Sequence, residues 1–365
     1  MAEKPSILIF GASGFIGRNL VEYLTSNDLC SKIRGIDPRK PSASFFSKKH
    51  KKAFENPVVE FVQGGAAAHI EKAFKRDEGP FDYIVNLAAE TRYGEDELMY
   101  QERVLKLGQT IAAEAEKYEI KKYIEVSTAQ VYAPSKSSCT EDAKIKPWTP
   151  LATYKYKTEQ HVVGTKLPYV VLRPAICYGP ADARGLMPRI IAGRIYKFLD
   201  KKMKCLWDGD LRINTVHVRD VAKAIWTACI KSEPGKIYNV ADKGDTSQNT
   251  INKILEEIFG IQTGYYNKIK CSLAKASFKE TQRIVNDKHL NPWVSLLGHY
   301  EIEVTPLSPV LPPELLYDNQ TRIDGSKIET ELGFEYEFPK VTKKLIEESM
   351  NYAVKQKIFP SLEEK

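Results

Sequence analysis

The run Gly11-Ala12-Ser13-Gly14-Phe15-Ile16-Gly17 restricts what this chain can become more than any other stretch of it. It follows a short apolar run, 6–10, and opens a segment, 15–26, whose apolar residues recur with helical spacing. A glycine triplet in that strand-to-helix setting has a mechanical reading. The first glycine permits a tight turn, the second lets the backbone approach a pyrophosphate, and the third lets the helix pack closely on the strand. The helix start then offers N–H groups and the positive end of its dipole to phosphate. Gly11, Ser13, Gly14, Phe15, Ile16 and Gly17 are therefore candidate dinucleotide contacts. Asp37 closes the next apolar run, where a carboxylate can accept both hydroxyls of a ribose. It would repel a 2′-phosphate, which favours NAD over NADP, while Arg39 and Lys40 keep the phosphorylated cofactor open.

The same rhythm continues. Strands are expected at 33–37, 58–62, 83–87, 123–127 and 169–173, with helices at 102–117 and 153–163. Repeated strand–helix units need right-handed crossovers that cover a parallel sheet. The expected fold is α/β: a Rossmann-type doubly wound parallel sheet with a smaller mixed α/β C-terminal substrate lobe. The dinucleotide-binding domain takes 1–180 and is completed by about 214–242, where a helix at 216–230 and a strand at 237–240 resume the pattern. The substrate lobe takes 181–213 and 243–350, starting with a helix at 187–199, and 351–365 is read as a C-terminal tail, disordered at Glu363, Glu364 and Lys365. The stretch 260–313 is long and mixed, with Trp293 and several prolines, and reads as substrate lobe or partner surface.

Composition excludes several classes. An apolar fraction of 42% and a charged fraction of 28% are ordinary for a globular chain of 365 residues. The formal charge of +7 comes from dispersed lysines. The one local run, Lys48, Lys49, Lys51 and Lys52, lacks the interleaved aromatics of a nucleic-acid patch. The six cysteines form no CxxC, and neither they nor the six histidines have metal-ligand spacing, so no metal is expected and a reducing compartment is. No apolar run is long enough to span a bilayer, and with no presequence evident the cytoplasm is the expected location.

Further motifs accompany the glycines: Asn86-Leu87-Ala88-Ala89, Ser127-Thr128-Ala129-Gln130-Val131-Tyr132, Leu172-Arg173-Pro174, Tyr178-Gly179-Pro180, Val216-His217-Val218-Arg219-Asp220, and Leu332-Gly333-Phe334 after Asp324. With them the chain resembles an extended short-chain dehydrogenase/reductase of the NAD-dependent epimerase/dehydratase family, from about residue 5 to residue 350. The resemblance implies that Leu87, Ala88 and Ala89 line the nicotinamide-ribose side and that Pro174 lies beside the carboxamide. Thr128 then takes the place of the catalytic Ser or Thr. Lys157 holds the ribose and supports an acid/base tyrosine, and Arg212 contacts a nucleotide diphosphate. Arg212 also reads as a surface ion pair, Thr128 as a cap of the next turn, and His217 as a packing residue.

The family pattern places a tyrosine four residues before the lysine, on one helical face with it. Four before Lys157 stands Thr153. Tyr154 is turned roughly 100° away and becomes the displaced acid/base candidate, while Tyr156 should point elsewhere. Leu105, Gly65 and Ile176 replace an asparagine, an aspartate and an asparagine of the pattern, and Ala129 and Gln130 replace a dehydratase acid pair. Dehydration is disfavoured on that ground. Two hypotheses stand. One is an NAD-dependent oxidoreductase or epimerase acting on a nucleotide sugar or another small carbonyl or alcohol, as a homodimer. The other is a catalytically weak NAD-binding subunit with a structural or regulatory role in a larger assembly, as the dehydrogenase-like accessory subunit of respiratory complex I resembles on a similar fold.

Overall fold

The computed structural model describes residues 4–65 and 70–362, so Glu363, Glu364 and Lys365 lie outside the described residues. The chain divides into two compact units.

The first unit comprises Met1–Ala175, Val216–Ala241 and Ile323–Phe338. Its centre is a 7-stranded sheet. The strands are β1 (Ser6–Phe10), β2 (Lys32–Asp37), β3 (Val59–Gln63), β4 (Tyr83–Asn86), β5 (Lys122–Val126), β6 (Tyr169–Pro174) and β7 (Lys236–Val240). Their order is β7-β6-β5-β4-β1-β2-β3, and every pairing is parallel. β1, β4 and β5 are buried along their whole length; β1 and β4 accordingly read as nearly continuous apolar runs, whereas β5 carries Lys122 and Glu125 buried within it. The chain leaves β1 toward β2 and β3, then returns to place β4 on the other side of β1. This reversal opens a crevice outside the carboxyl ends of β1 and β4, the place where such sheets bind ligands. The Rossmann-type expectation therefore holds, with strand ends displaced by one residue.

Helix α1 (Phe15–Ser26) follows β1 directly and buries Gly17, Leu20, Val21 and Leu24. The single helix expected at 102–117 is two pieces: one turn of π-helix, Gln101–Lys106, and then α2 (Leu107–Ala115). Helix α3 (Pro150–Val163) starts earlier than expected. Thr149 caps it by accepting from the Ala152 N–H at 3.0 Å, and Pro150 fills the first turn, where its missing N–H costs nothing. A Cβ on Gly108 of α2 would stand 2.4 Å from Cγ2 of Thr158, so this glycine sets how closely α2 and α3 approach. At the far end α3 is tied to β6 by the buried Arg173–Glu159 ion pair, whose guanidinium also donates to the Tyr132 hydroxyl at 2.8 Å.

Residues 323–338 were expected in the substrate lobe but belong to the first unit. Two polar anchors explain this. The Asp220 carboxylate accepts from the N–H groups of Glu337 and Phe338 at 2.9 and 3.0 Å. The Tyr336 hydroxyl accepts from the Ala241 N–H at 3.1 Å and donates to the Gly325 carbonyl at 3.1 Å.

The second unit comprises Ile176–Thr215, Asp242–Arg322 and Pro339–Lys365. It holds helices Met187–Phe198, Gln248–Phe259, Lys268–Ala276, Phe278–His299 and Lys343–Lys355, with a parallel strand pair, Met203–Cys205 and Thr263–Tyr265. Most of the stretch read as mixed is thus helical, and Phe278–His299 continues through Pro292. The expected tail at 351–365 is corrected. Helix Lys343–Lys355 runs across its start, Ile358 and Phe359 are buried, and the Phe359 ring lies 5.9 Å from that of Trp293.

Candidate functional site

The glycine turn is built by close approach. Gly11 has φ +82°, and a Cβ there would lie 2.8 Å from the Leu87 carbonyl carbon. A Cβ on Gly17 would lie 2.2 Å from the Gly11 oxygen, so α1 can start this near β1 only with glycine in that place. Gly14 is the N-cap of α1 and supplies no capping side chain, and Phe15 and Ile16 follow half-buried. A terminus of this kind suits phosphate. The hydroxyl of Ser13 is buried without a hydrogen-bond partner. An orphaned donor beside a cradle that Cβ atoms would fill fits the pyrophosphate of a dinucleotide.

Asp37 is positioned by the same turn. Its carboxylate accepts from the Ser13 N–H at 3.1 Å and the Arg39 N–H at 2.9 Å. Burial pushes its pKa up, and the two N–H groups and the Arg39 and Arg18 guanidiniums work against that. The Arg39 side chain itself is mostly exposed, with Nε 3.9 Å from the carboxylate. Sequence reasoning missed Arg18. Its buried guanidinium donates to the Gly14 and Ser44 carbonyls, bonds that of Ser13, and sits 4.6 Å over the Phe46 ring, bracing the turn from behind.

Beside the turn, Leu87, Ala88 and Ala89 leave β4 half-buried. The Asn86 side chain accepts from the Ala88 N–H at 3.1 Å and donates to Glu125 at 2.8 Å. Thr128 leaves β5 half-buried and accepts from the Gln130 N–H at 3.3 Å, which is the capping geometry. Pro174 ends β6, buried.

Helix α3 departs from expectation. Lys157 is exposed, its ammonium 4.4 Å from the centre of the Tyr154 ring. The buried lysine is Lys155. It donates to the Val126 carbonyl at the end of β5 at 2.7 Å and lies 3.8 Å from the Glu125 carboxylate. Two residues rotate a helix by about 200°, so the two lysines face opposite ways. Burial lowers the Lys155 pKa against the pull of Glu125, and burial pushes Glu125 up to about 7 against the Lys155 ammonium. The signal that finds Lys155 is the buried stripe Leu151, Ala152, Lys155, Thr158, Glu159 and Val162, which recurs at three and four residues and leaves Lys157 outside it.

Tyr154 is bonded as well. Its hydroxyl donates to Glu97 at 2.8 Å, and its ring stacks on Tyr100. The Glu97 carboxylate holds the phenolic proton in place and raises the pKa, the opposite of what a proton acceptor needs. Thr153 bonds back to the Thr149 carbonyl at 3.0 Å. Four residues before Lys155 stands Leu151, in an apolar cluster with Tyr100, Val104 and Tyr154 against which Ala89, Tyr93 and Leu105 pack.

In the second unit Arg212 donates to the Asp245 carbonyl at 3.0 Å, with its guanidinium 3.5 Å from the Asp245 carboxylate, which also accepts from Arg322 at 2.8 Å. His217 is a packing residue: fully buried, 4.1 Å from the Phe338 ring, and lowered by burial to about 3. Among the described residues there is no group of three or more His, Cys, Asp or Glu that could hold a metal, and no helix is long and apolar enough to cross a membrane.

The family model described as NAD dependent epimerase/dehydratase family matches residues 7–241. The dTDP-D-glucose 4,6-dehydratase of Mus musculus is 25% identical over 279 residues, covering 69% of this chain and 72% of that protein. A trifunctional UDP-glucose 4,6-dehydratase/UDP-4-keto-6-deoxy-D-glucose 3,5-epimerase/UDP-4-keto-L-rhamnose-reductase of Arabidopsis thaliana is 25% identical over 285 residues. That match takes in 70% of this chain and only 40% of the longer Arabidopsis protein. The crystal structure of the UDP-glucuronic acid 4-epimerase from Bacillus cereus, in complex with UDP-glucuronic acid and NAD, superposes with a TM-score of 0.70 at 21% identity, covering 96% of this chain and 99% of that one.

Proposed function

Because the chain belongs to the NAD dependent epimerase/dehydratase family, we propose that it binds NAD at the glycine turn and uses it to oxidise, reduce or epimerise a nucleotide sugar. The observation that carries the reading is the cradle of Gly11, Gly14 and Gly17 with the Ser13 hydroxyl orphaned inside it and Asp37 fixed at its edge. When bound, NAD supplies a reversible hydride acceptor. Asp37 accepts the ribose hydroxyls. Lys155, which gives one of its three N–H bonds to Val126, would hold the nicotinamide ribose. Leu87, Ala88, Ala89 and Pro174 bound the nicotinamide, and Thr128 orients the reacting oxygen.

Dehydration is outside this reading. Ala129 has no proton to give, and the Gln130 carboxamide already bonds Tyr93 and Thr149. The relatives named for enzymes of UDP- and dTDP-sugars support the substrate class, and nothing among them supports a purely structural subunit. The test is the purified full-length protein with NAD or NADH and a panel of UDP-glucose, UDP-glucuronic acid and dTDP-glucose. Saturable NAD binding with a change in reduced-nicotinamide absorbance, or a new epimer by proton NMR, is expected. Binding without turnover across the panel would return the subunit reading, and failure to bind NAD would remove both.

A further inference from the structure

We propose that Tyr93 is the group that exchanges a proton with the reacting oxygen of the substrate, in place of a residue on α3; this rests on the cofactor reading above. Interconverting an alcohol and a carbonyl needs a proton donor and acceptor at the oxygen. Helix α3 offers none on the turn that faces Lys155. Leu151 is apolar, the Thr153 hydroxyl is bonded to its own helix, and Tyr154 is bonded to Glu97.

Tyr93 brings a phenol to the same corner from another direction. It stands in the segment that follows β4, four residues beyond Ala89, and its ring packs against the apolar cluster that holds Leu151. Its oxygen accepts from Nε2 of Gln130 at 2.6 Å. The carboxamide oxygen of Gln130 accepts from the Thr149 hydroxyl at 3.3 Å, and the Gln130 N–H donates to Thr128 at 3.3 Å. One residue therefore connects the phenol to the two threonines at the end of β5 and the start of α3. The segment is braced: the Tyr100 hydroxyl donates to the Arg92 carbonyl at 2.6 Å and accepts from the Glu95 N–H at 3.3 Å. Arg92 also pairs with Glu90 at 3.0 Å and Glu95 at 3.1 Å. Tyr93 is half-buried.

The step balances. In oxidation the substrate O–H bond breaks and its proton goes to the Tyr93 phenolate. The C–H electron pair leaves as hydride to the nicotinamide of NAD, and the C=O bond forms. In reduction the phenol returns the proton to the forming alkoxide. The Gln130 donor steadies the charge the oxygen carries between these events.

The experiment is a tyrosinate absorbance titration of the full-length protein with and without saturating NAD⁺, for the wild type, Tyr93→Phe, Tyr154→Phe and Gln130→Leu. Oxidised nicotinamide is cationic, and a cation beside a phenol favours its ionised form. One tyrosine is expected to titrate about one to three pH units lower with NAD⁺ in the wild type and in Tyr154→Phe. NADH, with a neutral ring, is expected to leave it in place. The shifted tyrosine should be absent in Tyr93→Phe and titrate higher in Gln130→Leu, which keeps the phenol should Tyr93→Phe not fold. A shift that survives Tyr93→Phe, an unchanged midpoint in Gln130→Leu, or NAD⁺ binding with no shifted tyrosine overturns the role of Tyr93 alone. No NAD⁺ binding at all overturns the cofactor reading and Tyr93 with it.

Discussion

The Asp37 carboxylate is held in place by the Ser13 and Arg39 N–H groups before any ligand arrives. Asp37→Ala therefore removes preorganised acceptors as well as a charge. A hydrogen bond to a charged group is worth about 1.5–3 kcal/mol, so NAD affinity should fall about 10- to 100-fold by calorimetric titration, with NADP affected far less. The two lysines of α3 make a sharper pair. Lys155→Met strips Glu125 of its cation and should lower stability chiefly above about pH 7, where that carboxyl would otherwise ionise, along with NAD affinity. Lys157→Met should stay within about 0.5 kcal/mol and leave NAD affinity unchanged, as urea denaturation and the same titration will report. Glu125 adds a pH dependence. A free glutamate loses its proton near 4.5, whereas Glu125 keeps it to about 7, so the folded chain binds the extra proton in between. Stability from this group is greatest below 4.5, declines as pH climbs to about 7, and is level beyond. Glu125→Gln should flatten that slope, gaining about 2–3 kcal/mol on the wild type between pH 5 and pH 8 in urea denaturation.

At the scale of elements, the contact of α2 with α3 turns on one methyl group. Gly108→Ala would drive a Cβ onto Cγ2 of Thr158 and should cost about 1–3 kcal/mol in thermal unfolding. In a Thr158→Ser background, which lacks that methyl, the same substitution should instead gain up to about 1 kcal/mol, the helix preference of Ala over Gly. Elements also show where sequence reading succeeds. The glycine turn was legible because its constraint is local: a strand, a turn and a helix start, all within one short run. The register of α3 was not. Two lysines two residues apart fail the tyrosine spacing equally, with Leu151 and Thr153 four residues before them, and only the buried stripe, anchored to β5 and β6, separates them. The bond of Tyr154 to Glu97 was not legible either, since its partner is remote in sequence. Helix Phe278–His299 was hidden because Pro292 reads as a helix breaker although the helix runs through it, and because Ile284 and Val294 remain exposed, so its apolar residues mark no single face.

Across the whole molecule, the sheet was legible in class and order of elements because most of its buried strands carry short apolar runs between helical segments. The attachment of residues 323–338 was not, because it depends on two polar anchors, Asp220 and Tyr336, that no periodicity announces. Acid stability is likewise a property of the assembled chain. His50 and His217 are lowered by burial to about 3, and His289 to about 4, so all three stay neutral when folded. An unfolded histidine takes its proton near 6.5, so their contribution is present above that pH and is lost as pH falls toward 4 and 3. His289→Gln should lower the proton uptake on unfolding at pH 5 by about one, measured by calorimetry in buffers of different ionisation enthalpy.

Leu151, in the apolar cluster below Tyr93, has a consequence for how such a site can change over time. Where an acid/base group and its supporting lysine share one helical face, a mutation that shifts the helix disturbs both. Here Lys155 rides on α3, while the candidate phenol rides on the segment after β4. The two can be altered independently, so this corner can drift toward new chemistry, or lose it, while the seat of the cofactor is inherited unchanged.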